Sequence, residues 1–401
     1  MSTHLNLKFK DRVMKVLLFH DRLDVLGGTQ RVFLATLETL YQIGFKISLA
    51  TLYKPVFRFL TPGRLNIEKL AYVLPHRVKG LPQHIRGLFP LYMMVRTLFE
   101  KADLIVQTSG IDIPLGSFIP LIKTLSNPPR IIYIHSCSSS AVFSKEFSSG
   151  SLMENIYNVS YVKLYEPLFQ KMHEQAILSS LIITSAYCWA DRIRDLYPGT
   201  RPLVIHPPVD VGKFSFLAEA PRNEKNVLTI ARIDPSKQLH KVILLSKLVS
   251  SDIKFIIAGS LTEQYVPYYS ELNKLIKRLN VEDRVRILTN VSSKQLLDLM
   301  RKSSIFFFAT SDGFPIAKVE AMAAGLIPVV PDLCGVNEGV PREYVYKNLE
   351  EAARIIEENI NAPIYKRVEL SNNAERFSKQ TFKAKLKLVI SKVLDLRGYD
   401  S

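Results

Sequence analysis

Short apolar runs alternate with longer segments of helical period along this chain. From Val227 onward, NVLTIA, KFIIAG, VRILT, SIFFFAT and IPVV read as strands. YYSELNKLIKRLN and SKQLLDLMRKS, lying between them, read as amphipathic helices. Uninterrupted apolar strands separated by helices are the pattern of β-α-β units, whose parallel sheet is covered on both faces. The first half repeats the pattern: KVLLFH, a Gly-Gly loop, the helical QRVFLATLETLYQIG, then KISLAT, DLIVQTS, RIIYIHS, SLIITSA and PLVIHPP. Two doubly wound α/β halves follow. The boundary falls in HPPVDVGKFSFLAEAPRNEKN, which is rich in Pro and charge and has no sustained period. We place the N-terminal domain at residues 1–208 and the C-terminal domain at 209–384. A C-terminal helix of about residues 385–401 is expected to pack back on the first domain.

Open parallel sheets bind ligands beyond the carboxyl ends of their strands, so residues just after strands are the functional candidates. After KVLLFH, Gly27 and Gly28 precede a helix predicted to start near Gln30. Free N–H groups at a helix start favour an anion, and paired glycines let a ligand approach the main chain. The same pair also fits a tight turn with no ligand. After RIIYI, His135 is placed to carry a proton or to hydrogen-bond a hydroxyl, or simply to bond a neighbouring loop.

After NVLTIA, Arg232 and Lys237 flank a turn at Asp234-Pro235; they either converge on a diphosphate or form a solvated basic turn. After SIFFFAT comes SDGFPIAKVEAMAAGLIPVV, with a helix predicted from about Pro315 to Ala324 and Gly325 as its C-terminal cap. Asp312 lies ahead of that helix and Glu320 about a turn inside it. Two carboxylates around an anion-binding helix start suit a ligand with a charged middle and hydroxyl-rich ends, as in a nucleoside diphosphate sugar. The plainer alternative makes Asp312 a cap and Glu320 a solvated face residue.

These residues together resemble the retaining glycosyltransferases of the glycosyltransferase 4 family. The EAMAAG run beginning at Glu320, the Arg-x4-Lys element of Arg232 and Lys237, the VIHPPVD segment, the glycine loop and the YIHS strand end all match that family's pattern. The resemblance implies the GT-B fold, two facing Rossmann-like doubly wound domains with a cleft between them. It implies a hexosyltransferase similar to lipid-linked-oligosaccharide mannosyltransferases, with mannose the favoured sugar. By that resemblance His135, Asp312, Arg232 and Lys237 are catalytic. Gly27, Gly28, Arg232, Lys237, Asp312, Gly313, Phe314, Pro315, Ile316 and Glu320 would hold the donor. It implies no cofactor and no metal beyond a GDP- or UDP-linked sugar donor, and a polyprenyl-phosphate-linked or polysaccharide acceptor. Two positions depart from the family pattern: Asp312 stands where Glu is usual, and Pro315 where Gly is usual, which removes an amide N–H.

Composition adds a partner. The net charge of +16 favours an anionic surface. Between Lys54 and Arg96 eight basic residues face one acid, Glu68, among apolar side chains. That composition fits an anionic membrane surface or the solvated face of a core helix. The polar N-terminus has no apolar signal core, and no run approaches membrane-spanning length, so we expect a cytoplasmic protein, peripheral on the membrane. The three cysteines have no metal-ligand spacing. No RNA- or DNA-binding module is recognisable, and no nucleic-acid partner is expected. Two alternatives stay open: an epimerase or hydrolase of the same fold, and a non-catalytic basic protein binding membrane or nucleic acid.

Overall fold

A computed structural model describes residues 13–20, 22–23, 27–56, 60, 63–74, 102–108, 128–135, 174, 177–310 and 313–395. The chain divides into two compact units, residues 1–206 with 382–401, and residues 207–381. Most of the basic segment between Lys54 and Arg96 lies outside the described residues, as does Asp312. Among the described residues, no helix is long and apolar enough to cross a membrane.

The first unit contains strands β1 (Lys15–Phe19), β2 (Lys46–Tyr53), β3 (Ile67–Leu74), β4 (Leu104–Gln107), β5 (Arg130–Ile134), β6 (Leu181–Thr184) and β7 (Leu203–Val204). They form one parallel sheet in the order β3-β2-β1-β4-β5-β6-β7. Helix α1 (Gly28–Ile43) buries Phe33, Leu37 and Leu40, spaced four and three residues apart, and ends at Gly44 in the left-handed conformation (φ 98°). Helix α2 (Tyr187–Leu196) follows β6.

The second unit contains β8 (Asn226–Ile230), α3 (His240–Leu245), β9 (Lys254–Gly259), α4 (Val266–Arg278), β10 (Val285–Thr289), α5 (Ser293–Lys302), β11 (Ile305–Phe307), α6 (Ile316–Ala323), β12 (Ile327–Pro331), β13 (Val345–Tyr346), α7 (Leu349–Asn359) and α8 (Ile364–Ala374). Its strand order is β10-β9-β8-β11-β12-β13, again parallel throughout. Read from its own first strand, this is 3-2-1-4-5-6, the Rossmann order. Local signals set the helix ends. Ser292 and Gln295 make a reciprocal capping box at α5, and the Asn348 side chain accepts from the Glu351 N–H at α7.

Helix α9 (Lys379–Asp395) begins in the second unit, and from Phe382 onward it belongs to the first. Phe382, Leu386, Val389, Ile390, Val393 and Leu394 join the apolar core formed by β1, β2, β4, β5 and α1. The two chain crossings run side by side, since Val209 pairs with Ser378 and exchanges backbone hydrogen bonds with Phe377 and Lys379.

The ends of β8 and β9 are packed so closely that only glycine fits at 259. A Cβ there would lie 1.7 Å from the carbonyl oxygen of Ala231. A Gly259→Ala substitution is expected to destabilise the protein by more than about 2 kcal/mol, as overpacking against backbone does. Gly212→Ala, where a Cβ meets nothing within 4 Å, should stay within about 0.5 kcal/mol of the parent. Urea unfolding of both variants checks the contrast.

Candidate active site

In the second unit the strand order reverses between β8 and β11. Crossovers from these two strands leave on opposite faces, so their carboxyl ends border a crevice, the usual ligand position in such sheets. The predicted cationic turn follows one strand and the predicted helix start follows the other. A hydrogen bond from the Thr310 hydroxyl to the Ser236 carbonyl, 2.9 Å, ties the two loops together.

The turn after β8 is built by Asp234. Its buried carboxylate accepts from the Ser236 N–H at 2.9 Å and from the Ser236 hydroxyl, capping the single helical turn Pro235–Lys237. The same carboxylate lies 3.5 Å from the Arg232 guanidinium, whose side chain is 63% exposed. Lys237 is only 8% exposed and is no solvated residue, whereas the Arg232 guanidinium, paired with Asp234, stays open to solvent. Gln238 closes the turn at φ 49°, a conformation that non-glycine residues seldom adopt and one that clusters at functional sites.

Across the crevice, α6 starts at Ile316, one residue later than predicted. Pro315 is its N-cap, with ψ 114°, because a residue outside the helix must lead the chain in. The N–H that proline lacks is therefore missing from the cap, ahead of the helix's own unpaired donors. Gly313 (φ 53°) makes the turn before it. Phe314 is buried, its ring 5.3 Å from that of Phe377, so its side chain serves packing. Ile316 is partly buried. Glu320 is 5% exposed and is no solvated face residue.

The helix is held at both ends. The Ser371 hydroxyl donates to the Ala323 carbonyl at 2.6 Å, and the Arg222 guanidinium donates to that of Ala324. Cations at a helix C-terminus also meet the negative end of its dipole. At the other end sits Lys318, fully buried, which sequence reasoning did not single out. Its Nζ donates to the carbonyls of Val336 (2.8 Å), Glu338 (2.7 Å) and Gly335 (3.3 Å) and lies 4.2 Å over the Phe314 ring.

The first unit has its own strand-order reversal, between β1 and β4. Gly27 is the N-cap of α1, which starts at Gly28, two residues before the prediction. A Cβ on Gly27 would lie 2.8 Å from the Gln30 amide oxygen, and Gln30 in turn donates to the Arg22 carbonyl at 2.7 Å. His135 follows β5. Its Nε2 donates to the Thr108 carbonyl at 2.9 Å, because a carbonyl only accepts; this fixes a proton on Nε2. The Thr108 hydroxyl donates to the Phe19 carbonyl and lies 3.0 Å from Nδ1 of His20. Thr108 therefore joins the ends of β1, β4 and β5, and the structure brings the two histidines onto one residue. Neither His20 nor Thr108 stood out in the sequence.

The family model for glycosyl transferases group 1 matches residues 213–382. That stretch is a group 1 glycosyl transferase domain. A GDP-Man:Man(3)GlcNAc(2)-PP-Dol alpha-1,2-mannosyltransferase of Dictyostelium discoideum is 29% identical over 61% of this chain and 53% of its own length. A GDP-mannose:cellobiosyl-diphosphopolyprenol alpha-mannosyltransferase of Xanthomonas oryzae pv. oryzae is 27% identical over 68% of this chain and 66% of its own. The alignments thus span between about half and two thirds of these relatives. Among solved structures, Anabaena HepE in complex with UDP and glucose superposes with a TM-score of 0.67 over 94% of this chain and 100% of that one, at 18% identity. The fold of the group 1 glycosyl transferase domain and its N-terminal companion is therefore that of GT-B glycosyltransferases.

Burial pulls the His20 imidazole down to about 3, so it is neutral in the folded protein. Because the folded value is depressed, its contribution to stability is full above about pH 6.5 and is lost as pH falls toward 3. A His20→Gln variant should show a shallower fall in unfolding free energy across that window, by up to about 1.4 kcal/mol per pH unit. Denaturant titrations at several pH values measure it.

Proposed function

We propose that the protein is a retaining hexosyltransferase moving mannose from a nucleoside diphosphate sugar, GDP- or UDP-linked, to a lipid-linked glycan or polysaccharide acceptor. One observation carries this reading: a buried lysine, an arginine and a buried glutamate border the single strand-order reversal of a group 1 glycosyl transferase domain. The names of the two mannosyltransferase relatives support GDP-mannose and a lipid-linked acceptor.

In this reading Arg232 and Lys237 bind the donor diphosphate and offset the charge that grows on it as the glycosidic bond breaks. Glu320 accepts hydrogen bonds from the ribose, and Asp312 from the sugar hydroxyls. The backbone of Gly313, Pro315 and Ile316 lines the helix start. Gly27 and Gly28 allow close approach of an anion, and His135 hydrogen-bonds a sugar hydroxyl. The acceptor oxygen attacks the anomeric carbon on the face the diphosphate leaves, and a departing phosphate oxygen takes the acceptor proton. Positioning and charge stabilisation then do the catalysis, with no enzymic nucleophile and no bound metal. Its basic balance suits docking at an anionic membrane surface, where a polyprenyl-linked acceptor resides.

Transfer from GDP-mannose and from UDP-sugars to a polyprenyl-diphosphate-linked acceptor in vesicles tests this directly. Lys237→Ala and Glu320→Gln proteins, shown to be folded by circular dichroism, should lose roughly 100-fold or more in kcat/KM. Full activity in both would remove the site assignment. Equal activity in vesicles with and without anionic lipid would remove the membrane docking.

A further inference from the structure

Lys318 is a fully buried ammonium in the first turn of an eight-residue helix. Burying a cation in place of an apolar side chain of similar size gains no stability, so its presence here calls for another role. Its surroundings consist of acceptors: three backbone carbonyls, and the electron-rich face of Phe314. The carbonyls belong to the turn of residues 335–338 that follows β12. That turn is fixed from its other side, by Asn337 and Arg342 on the Asp332 carboxylate and by Arg376 on the Gly339 carbonyl. Glu320 stands two residues from Lys318 on a helix of about two turns. A shift at one is a shift at the other.

We infer that Lys318 is a positioning residue for the donor: its ammonium locks α6 to the 335–338 turn, and the locked state is the one that binds the nucleoside diphosphate sugar. The inference rests on the donor reading given above. An ammonium has three N–H donors for the three carbonyls. A neutral amine has two, and turns a lone pair toward the carbonyl it no longer serves. Loss of the proton therefore loosens the lock.

Burial pulls the Lys318 ammonium down to about 7; Arg376 adds to the fall and Glu338 opposes it. The change of state therefore falls near neutral pH. Global stability and donor binding then respond in opposite directions. Between about pH 7 and the ordinary lysine value the unfolded chain holds the extra proton, so Lys318 makes unfolding less favourable as pH rises. Donor affinity falls over the same range. General alkaline loosening lowers both and is thereby distinguished.

Calorimetric titration of the full chain with GDP-mannose and with UDP-glucose, from pH 6 to 8.5, is the test. The wild type should bind the preferred sugar more weakly above a midpoint near 7, with Kd rising toward tenfold per pH unit. Lys318→Met should bind weakly and with a flat profile. Glu338→Gln, which removes the charge that favours the ammonium, should keep the profile and move its midpoint to lower pH. This second variant keeps the inference testable if Lys318→Met fails to fold. A flat wild-type profile, a Lys318→Met profile like that of the wild type, or an unmoved midpoint in Glu338→Gln overturns the coupling and leaves the donor reading standing. Binding of neither sugar at any pH overturns both.

Discussion

The constraint on which the second unit depends is the reversal of strand order between β8 and β11. Every strand of a parallel sheet ends at the same edge, but only at the reversal do adjacent loops diverge and leave room for a ligand. The group 1 glycosyl transferase domain fills the two sides of that gap differently. One side is a capped basic turn, held by the buried carboxylate of Asp234. The other is a short helix led in by Gly313 and Pro315. Gly259 lets the β9 end pack on the β8 loop, and Thr310 bonds that loop from the β11 side. These contacts fix the loops before any ligand arrives, which is what electrostatic preorganisation requires.

The strongly basic balance of the chain is partly internal. Lys318 and Arg367 are buried and Arg222 is partly buried, and each donates to backbone carbonyls. Arg284 likewise serves the carbonyls of Val249, Ser250 and Ile253. Long cationic side chains here replace water at backbone groups that regular structure leaves unpaired. Net charge read from composition therefore overstates the charge presented to a partner. Around α6 these cations have a second effect, since they fix the helix that presents Glu320.

Periodicity exposed the β-α-β pattern because strands buried on both faces are written as apolar runs, as NVLTI and KFIIAG are. It missed β3, IEKLAYVL, whose sheet-edge position admits the adjacent charges of Glu68 and Lys69 and so breaks the apolar run. It also missed β13, which is two residues long and has no period to read. Strand-end logic brought Arg232, Lys237, Pro315 and Glu320 to the right edge of the sheet. The burial of Glu320 and Lys237 was not legible, because it depends on elements far away in sequence. Lys318 is the clearest case. Within IAKVEAMA it reads as a solvated helix lysine, and only the turn seventeen to twenty residues later supplies its three acceptors. The Thr108 junction is hidden in the same way, since its partners come from the ends of two other strands, β1 and β5.

Hydrogen–deuterium exchange of the full chain, with and without saturating GDP-mannose or UDP-sugar, tests most directly whether the β8–β11 crevice is the donor site. The account predicts slowed exchange concentrated in peptides covering residues 231–239 and 310–324, where amides face the diphosphate and ribose. Slowed exchange confined to other strand ends, with these two segments unchanged while the sugar is bound, would contradict it.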